Sequence, residues 1–243
     1  MEFFDVVKER RSIRNFRPDP LPEGAVEKIL EAARFAMSGA NGQPWEFVVI
    51  TKQATKDKIA AINVEYGRKK TCIFEQTREL PYRHNMFKNF YPNLPAWKIA
   101  PVIIAVCADI RTYQATVLSA HFLNGEGGAE ATYFKNVANA TQLICLAAAA
   151  LGLGTQWIST ASGWERKVRE LLDVPDDLMI HTLVPVGYPA HKPASPYRRE
   201  LKEIVHYDKY DRSKYRTDED IIEFLKLLRK KTRGAYADTI IKE

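Results

Sequence analysis

Apolar residues fall at helical spacing in two stretches near the amino end: Phe3, Val6 and Val7 within 2–9, and Val26, Ile29, Leu30 and Ala33 within 22–37, just after Pro22. The period then changes to that of a strand. Trp45-Glu46-Phe47-Val48-Val49-Ile50 is aromatic and β-branched, and the unbroken apolar run over 101–108 reads as a strand buried on both faces. A helix is predicted between them, over about 54–64. Over about 129–151 nearly every position is small or apolar, and the run stops at Gly152-Leu153-Gly154, which predicts a buried helix ended by glycine. A short strand is expected over 156–160, a helix over 164–172 and a third long apolar strand over 179–186. A Pro-rich arm then runs through Pro196 to a final helix at about 218–229. The apolar positions of that helix, Ile221, Ile222, Phe224, Leu225, Leu227 and Leu228, must cover something, and a partner subunit is one candidate.

Strands and helices are thus mixed, without internal repeats or a clear linker, and we expect one domain over 1–243. Two stretches resist the pattern. Residues 66–97 are rich in aromatic, basic and proline residues without clean periodicity, which argues for a functional excursion such as a lid. Residues 113–128 are a second variable insert, and 200–243 form a carboxy-terminal extension.

Composition narrows the class. With 243 residues, 46% hydrophobic and 27% charged, the chain is long enough to bury a full core and too apolar to be disordered. Its acidic amino end and the lack of any long apolar run predict no signal peptide and no membrane association, hence a soluble protein. Cys72, Cys107 and Cys145 are widely spaced, the latter two within apolar stretches, which fits a reducing, cytoplasmic setting. The net charge of +6 gathers in two clusters, Arg10, Arg11, Arg14 and Arg17, and Lys226, Arg229, Lys230 and Lys231. The second reads as a solvated helix face. No aromatic residues interleave with the basic ones as on a nucleic-acid-binding sheet, so no nucleic-acid partner is expected. The histidines show no metal-ligand spacing with Cys or carboxylates, and His181, opening an apolar strand, reads as a satisfied core histidine.

Three segments carry candidate chemistry. Arg10-Arg11-Ser12-Ile13-Arg14 packs three guanidinium forks and a hydroxyl closely enough to surround one phosphate dianion, although taken alone a basic turn is the plainer reading. Ser38-Gly39-Ala40-Asn41-Gly42-Gln43-Pro44-Trp45 combines small residues, which let a backbone approach a flat ring, with two amides able to meet hydroxyls or a ring's polar edge. Alone it is merely a loop that stops a helix. Arg198-Arg199 follows the Pro-rich arm and by itself is surface charge.

In this order, together with Ala-Pro-Val-Ile-Ile at 100–104, Gly-Leu-Gly-Thr at 152–155 and Val-Gly-Tyr-Pro at 186–189, these segments resemble the nitroreductase family of flavoproteins. The resemblance implies an α+β nitroreductase-like fold, a central, mainly antiparallel sheet flanked by helices, in a homodimer that exchanges its carboxy-terminal arm. It implies FMN, with NADH or NADPH as electron donor and a small organic molecule as electron acceptor. Arg10, Arg11, Ser12 and Arg14 would hold the FMN phosphate and nearby ribityl oxygens, and Arg198 or Arg199 would complete that pocket. Ser38, Gly39, Asn41 and Gln43 would line the ribityl and ring region, generally from the other subunit. Trp157, Ile158 and Ser159 would lie along the ring, where an amide donor stabilises negative charge on the reduced cofactor. Such enzymes run the reaction on the flavin, so no catalytic side chain is named, and no metal.

One departure touches the ring: some members carry an acidic residue where Ser159 aligns. The family's branches also leave alternatives open. A reductive dehalogenase similar to iodotyrosine deiodinase needs Glu and Tyr one helical turn apart in its lid and a later Lys. Glu79 and Tyr82, with Lys88 or Lys98, fit that loosely, and Glu75 pairs with no Tyr. A flavin-fragmenting dimethylbenzimidazole synthase is a further branch. Outside catalysis, a flavin- or nucleic-acid-binding protein without turnover remains.

Overall fold

The computed structural model describes residues 2–68, 77, 79, 94–117, 128–160, 164–191 and 193–232. Cys72, Tyr82, Lys88 and most of the two expected inserts lie outside them. The described residues fall into two compact units, 2–191 and 193–232.

The first unit is built on five strands: β1 (Trp45–Ile50), β2 (Val102–Asp109), β3 (Gly154–Thr155), β4 (Ile158–Ser159) and β5 (Leu178–Gly187). The order is β1-β2-β5-β3, with β4 also on β5, and every strand pair is antiparallel. Around them lie helices α1 (Phe3–Glu9), α2 (Ala25–Arg34), α3 (Gln53–Ile62), α4 (Ile110–Val117), α5 (Gly128–Ala150) and α6 (Glu165–Leu171).

The continuous apolar character of β2 has a direct cause: the sheet is covered on both faces. Val102, Ile104, Val106 and Ala108 join α2 and α5 in one core, with Ile29, Ala33, Val137, Ile144 and Ala148. The alternate residues Ile103, Ala105 and Cys107 join α3 and α6 in another, with Ile59, Ala60 and Val168. Burying each Ile or Leu contributes about 1.5–3 kcal/mol, so these two layers fix the strand register. Lys56 of α3 is also buried. Its Nζ donates to the carbonyls of Ala100 (2.6 Å) and Pro101 (3.2 Å), and desolvation lowers its pKa. It anchors the chain at the start of β2.

Two boundaries differ from the sequence reading. The helix expected over 22–37 is α2, which begins at Ala25 because Gly24 turns the chain with φ +71° and ends at Arg34. Of the strand expected over 156–160 only Ile158–Ser159 forms, as β4, while β3 at Gly154–Thr155 precedes it and pairs with β5 separately. The long helix ends as expected: Gly152 has φ +76°, and Leu153 N–H returns to Ala148 O at 2.9 Å.

The second unit contains α7 (Leu201–Ile204), a 3-10 turn Arg212–Lys214 and α8 (Asp218–Thr232). Arg216 lies over the Phe224 ring at 4.8 Å, and Tyr197 and Phe224 meet at 6.3 Å between centroids.

Candidate cofactor site

The basic segment leaves α1 in extended form and is tied to the sheet by its backbone. Ile13 N–H donates to Thr155 O at 2.8 Å, Arg17 N–H to Tyr188 O at 2.9 Å and Ala190 N–H to Asn15 O at 3.1 Å. Ser12 thereby forms a parallel bridge with Thr155, and Phe16 an antiparallel one with Pro189. Glycine makes this approach possible. A Cβ on Gly154 would lie 2.4 Å from Ile13 Cγ1, and one on Gly187 would lie 2.6 Å from Pro101 Cδ and 3.2 Å from Phe16.

The result is an edge on which Ser12 and Ile13 meet Thr155, bringing the basic segment to the start of the stretch that holds the expected ring-side residues. Arg10 and Arg14 are half-buried and Ser12 is exposed. Arg11 turns back onto its own helix end, donating from Nη1 to the carbonyls of Lys8 and Arg10. Behind the edge, Cys145 of α5 has its pKa raised by burial, opposed by a hydrogen bond with Thr155 and by the charge of Arg10. Arg10 therefore lies within electrostatic reach of this end of α5. Trp157 is 41% exposed, Ser159 is exposed, and Ile158 O accepts from Thr182 Oγ1 at 2.8 Å. Gln156 Oε1 is buried with no hydrogen-bond partner among the described residues.

The loop at 38–43 sits elsewhere on α5. Gly39 N–H donates to Asn136 Oδ1 at 3.2 Å, and Asn139 Nδ2 donates to Met37 O at 3.0 Å. Within the loop, Gln43 N–H donates to Ser38 Oγ at 3.0 Å and Gln43 Nε2 to Asn41 O at 3.2 Å. Ala40, Asn41 and Gln43 all have left-handed backbone, with φ of 50°, 54° and 44°. Asn tolerates this, whereas Ala and Gln adopt it only under constraint, at roughly 1–3 kcal/mol each. A small core of Ala36, Trp45 and Ala140 holds the loop's flanks to the helix. Asn136 and Cys145 are nine residues apart on α5, about 14 Å along its axis. One chain thus presents the basic edge and the amide loop at different levels of one helix.

Sequence reasoning did not single out Asn136 and Asn139. Their signal was present, since they are amides one turn apart in a helix otherwise read as small and apolar. One turn earlier, Tyr133 donates its hydroxyl proton to Ala108 O at 2.8 Å and lies 2.8 Å from His181 Nε2. The phenol has one proton to give, so the network assigns the hydrogen between them to His181 Nε2. Burial pushes His181 down to about 4 and the Cys107 thiol up to about 12.

In the second unit, Arg199 is half-buried and committed to Glu203, with Nε 3.4 Å from Oε2 and Nη2 donating to the backbone carbonyl at 2.9 Å. It lines a hollow of about 410 Å³ with Tyr197, Lys214, Arg216 and Phe224. Arg198 is exposed and donates only locally, to Tyr197 O at 3.0 Å. Among the described residues no group of His, Cys, Asp and Glu side chains is placed to hold a metal, and no helix is long and apolar enough to cross a membrane.

Guanidinium and hydroxyl donors beside an unmet buried acceptor fit a ligand that joins a phosphate to a hydroxyl-bearing chain, as FMN does. A protein of Methanothermobacter thermautotrophicus provisionally named NADH dehydrogenase/NAD(P)H nitroreductase is 27% identical, over 86% of this chain and 88% of its own length. Iodotyrosine deiodinase 1 of Rattus norvegicus is 26% identical, over 84% of this chain and 68% of its own. The solved structure of an FMN-dependent nitroreductase from Clostridium difficile superposes with a TM-score of 0.61 at 21% identity, covering 85% of this chain and 99% of that one. The model of the nitroreductase family matches residues 7–188, most of the chain, which therefore belongs to the nitroreductase family of oxidoreductases.

Proposed function

We propose that this chain is an FMN-dependent NAD(P)H oxidoreductase acting as a homodimer, with a small organic electron acceptor such as a nitroaromatic or a quinone. The observation that supports the reading is the pairing of Ser12 and Ile13 with Thr155, two residues before Trp157, Ile158 and Ser159, which we read as ring-side. Arg10, Ser12 and Arg14 hold the phosphate by charge-assisted hydrogen bonds. Gln156 Oε1 accepts from a hydroxyl of the chain that follows. When bound, FMN supplies the hydride chemistry between nicotinamide and acceptor.

A second copy supplies the rest of the site. Ser38, Gly39, Asn41 and Gln43 lie about 14 Å along α5 from the basic edge of their own chain, which supports their serving the partner's edge. The elements packed on α5 also leave large apolar side chains in solvent: Phe3 (62% exposed), Phe4 (74%), Phe35 (70%) and Met37 (80%). Such a set is suited to burial against its own symmetry mate. The arm is exchanged in this reading, with Ile221, Ile222 and Leu225 of α8 covered by the partner and Arg198 contributing to the phosphate pocket.

The test is an absorbance spectrum of the purified protein from about 300 to 600 nm, with anaerobic addition of NADH and then NADPH, alongside light scattering. Flavin bands that bleach in a dimer are expected. A colourless protein that takes up no added FMN, or a monomer that retains it, would defeat the corresponding half of the proposal. The similarity to iodotyrosine deiodinase supports a second reading, reductive dehalogenation. Iodide release from iodotyrosine with reduced protein would select it over nitroaromatic reduction.

A further inference from the structure

Asn136 is only 4% exposed, yet just one end of its amide is used within the chain. Gly39 N–H is a donor, so the atom facing it at 3.2 Å must be the carbonyl oxygen, which excludes the flipped amide. The buried atom with no hydrogen-bond partner among the described residues is therefore the amino group, Nδ2. An amide donor taken out of water without an acceptor costs more than the hydrogen bond it withholds would return. Leu or Met at this position would pack on α5 without that cost. The amide is also placed at a particular spot: its other end grips the backbone of the loop that carries three left-handed, non-glycine residues, and Asn139 grips the residue before that loop.

We infer that Asn136 is a binding and positioning residue of the site, clamping the amide loop through Oδ1 and presenting Nδ2 to an acceptor oxygen or nitrogen of the ligand that docks against the loop. The inference rests on the FMN reading and adds to it a residue buried in the long helix. It also gives the loop's strain a function, since the turn that exposes Asn41 and Gln43 is held by the same side chain that meets the ligand. A donor already out of water meets the ligand without first giving up a hydration shell.

The experiment uses the full chain and FMN itself, with affinity read from quenching of flavin fluorescence, the midpoint potential from anaerobic titration, and folding from circular dichroism. Asn136→Asp keeps an acceptor for Gly39 and the volume of the side chain, but replaces the amino donor by a charged acceptor. It should weaken FMN binding about tenfold or more and shift the potential of the FMN still bound to more negative values. Asn136→Leu removes both functions and should lose affinity and thermal stability together. If Asn136→Asp binds FMN within about twofold of wild type at an unchanged potential, Nδ2 meets no ligand and only the loop clamp survives. If the wild-type chain takes up no FMN, the flavin reading fails first and this inference with it.

Discussion

The basic edge and the amide loop are held by different means, the one to the sheet and the other to α5. The basic edge is fixed by backbone hydrogen bonds, from Ile13 to Thr155 and from Arg17 to Tyr188, and by a glycine that lets the strands touch. The amide loop is fixed by side chains, Asn136, Asn139 and Ser38, against a backbone held in left-handed geometry. Backbone attachment does not use the polar side chains of the basic edge, and it is sensitive at the contact glycines and at the buried Ile13 and Phe16. Side-chain attachment spreads the constraint over several residues, any of which loosens the loop when lost.

The contrast breaks most sharply at Gly154. A Cβ there meets Ile13 at 2.4 and 2.9 Å, so Gly154→Val must push the basic segment off β3 and forfeit the Ile13 hydrogen bond. We predict a loss of about 3 kcal/mol or more in urea unfolding, with FMN uptake lost in parallel. Retention of both would mean that the segment is held from elsewhere. Single side chains on this edge should instead spare the fold and weaken the ligand. Arg14→Ala is expected to cost FMN affinity on the order of 1.5–3 kcal/mol at nearly unchanged melting temperature. In the second unit the structure separates two neighbours, since Arg199 is committed to Glu203 while Arg198 bonds only to the adjacent carbonyl. Arg198→Ala should weaken FMN more than Arg199→Ala, and the reverse ranking would exchange their roles.

Acid should act on the loop end. His181 holds Tyr133, one turn before Asn136, and burial lowers its pKa from 6.5 to about 4. Between those values the unfolded chain binds the proton and the folded chain does not. This contribution is therefore complete above about pH 6.5 and is lost as pH falls toward 4, by roughly 3 kcal/mol in all. His181→Gln removes the titrating group. Urea midpoints at neutral pH and near pH 4.5 should differ less in this variant than in wild type, and an equal difference would place the acid sensitivity in other groups.

How much of this was legible follows the range of the forces. β1 and the helix now numbered α5 are within a residue of their predicted limits, because aromatic and β-branched residues mark the one and a long small-apolar run stopped by glycine marks the other, although α5 keeps an exposed side with Phe134, Lys135, Asn139 and Gln142. β3 was not expected as a strand and β4 was drawn too long, because both depend on partners in β5 more than 20 residues later, which local pattern does not contain. The basic and amide segments were recognisable from their residue types. Their separation along α5 was not, because it depends on where each segment docks. Gly154 was visible only as part of a helix-ending motif, while its closer role is the contact with Ile13.

The finest test of the comparison is Asn139. Its Nδ2 donates to Met37 O, just before the strained turn, and its side chain is exposed enough that water can replace it. Asn139→Ala should therefore cost only about 0.5–1.5 kcal/mol of stability, the net value of one hydrogen bond. The distribution of the effect is more telling than its size. Hydrogen exchange should quicken at the amides of 39–43 and stay unchanged at Ile13 and Arg17, whose protection depends on the sheet. Equal quickening at both sites would show that the two attachments open together, and the loop would then have no independent freedom for its side chains to restrain.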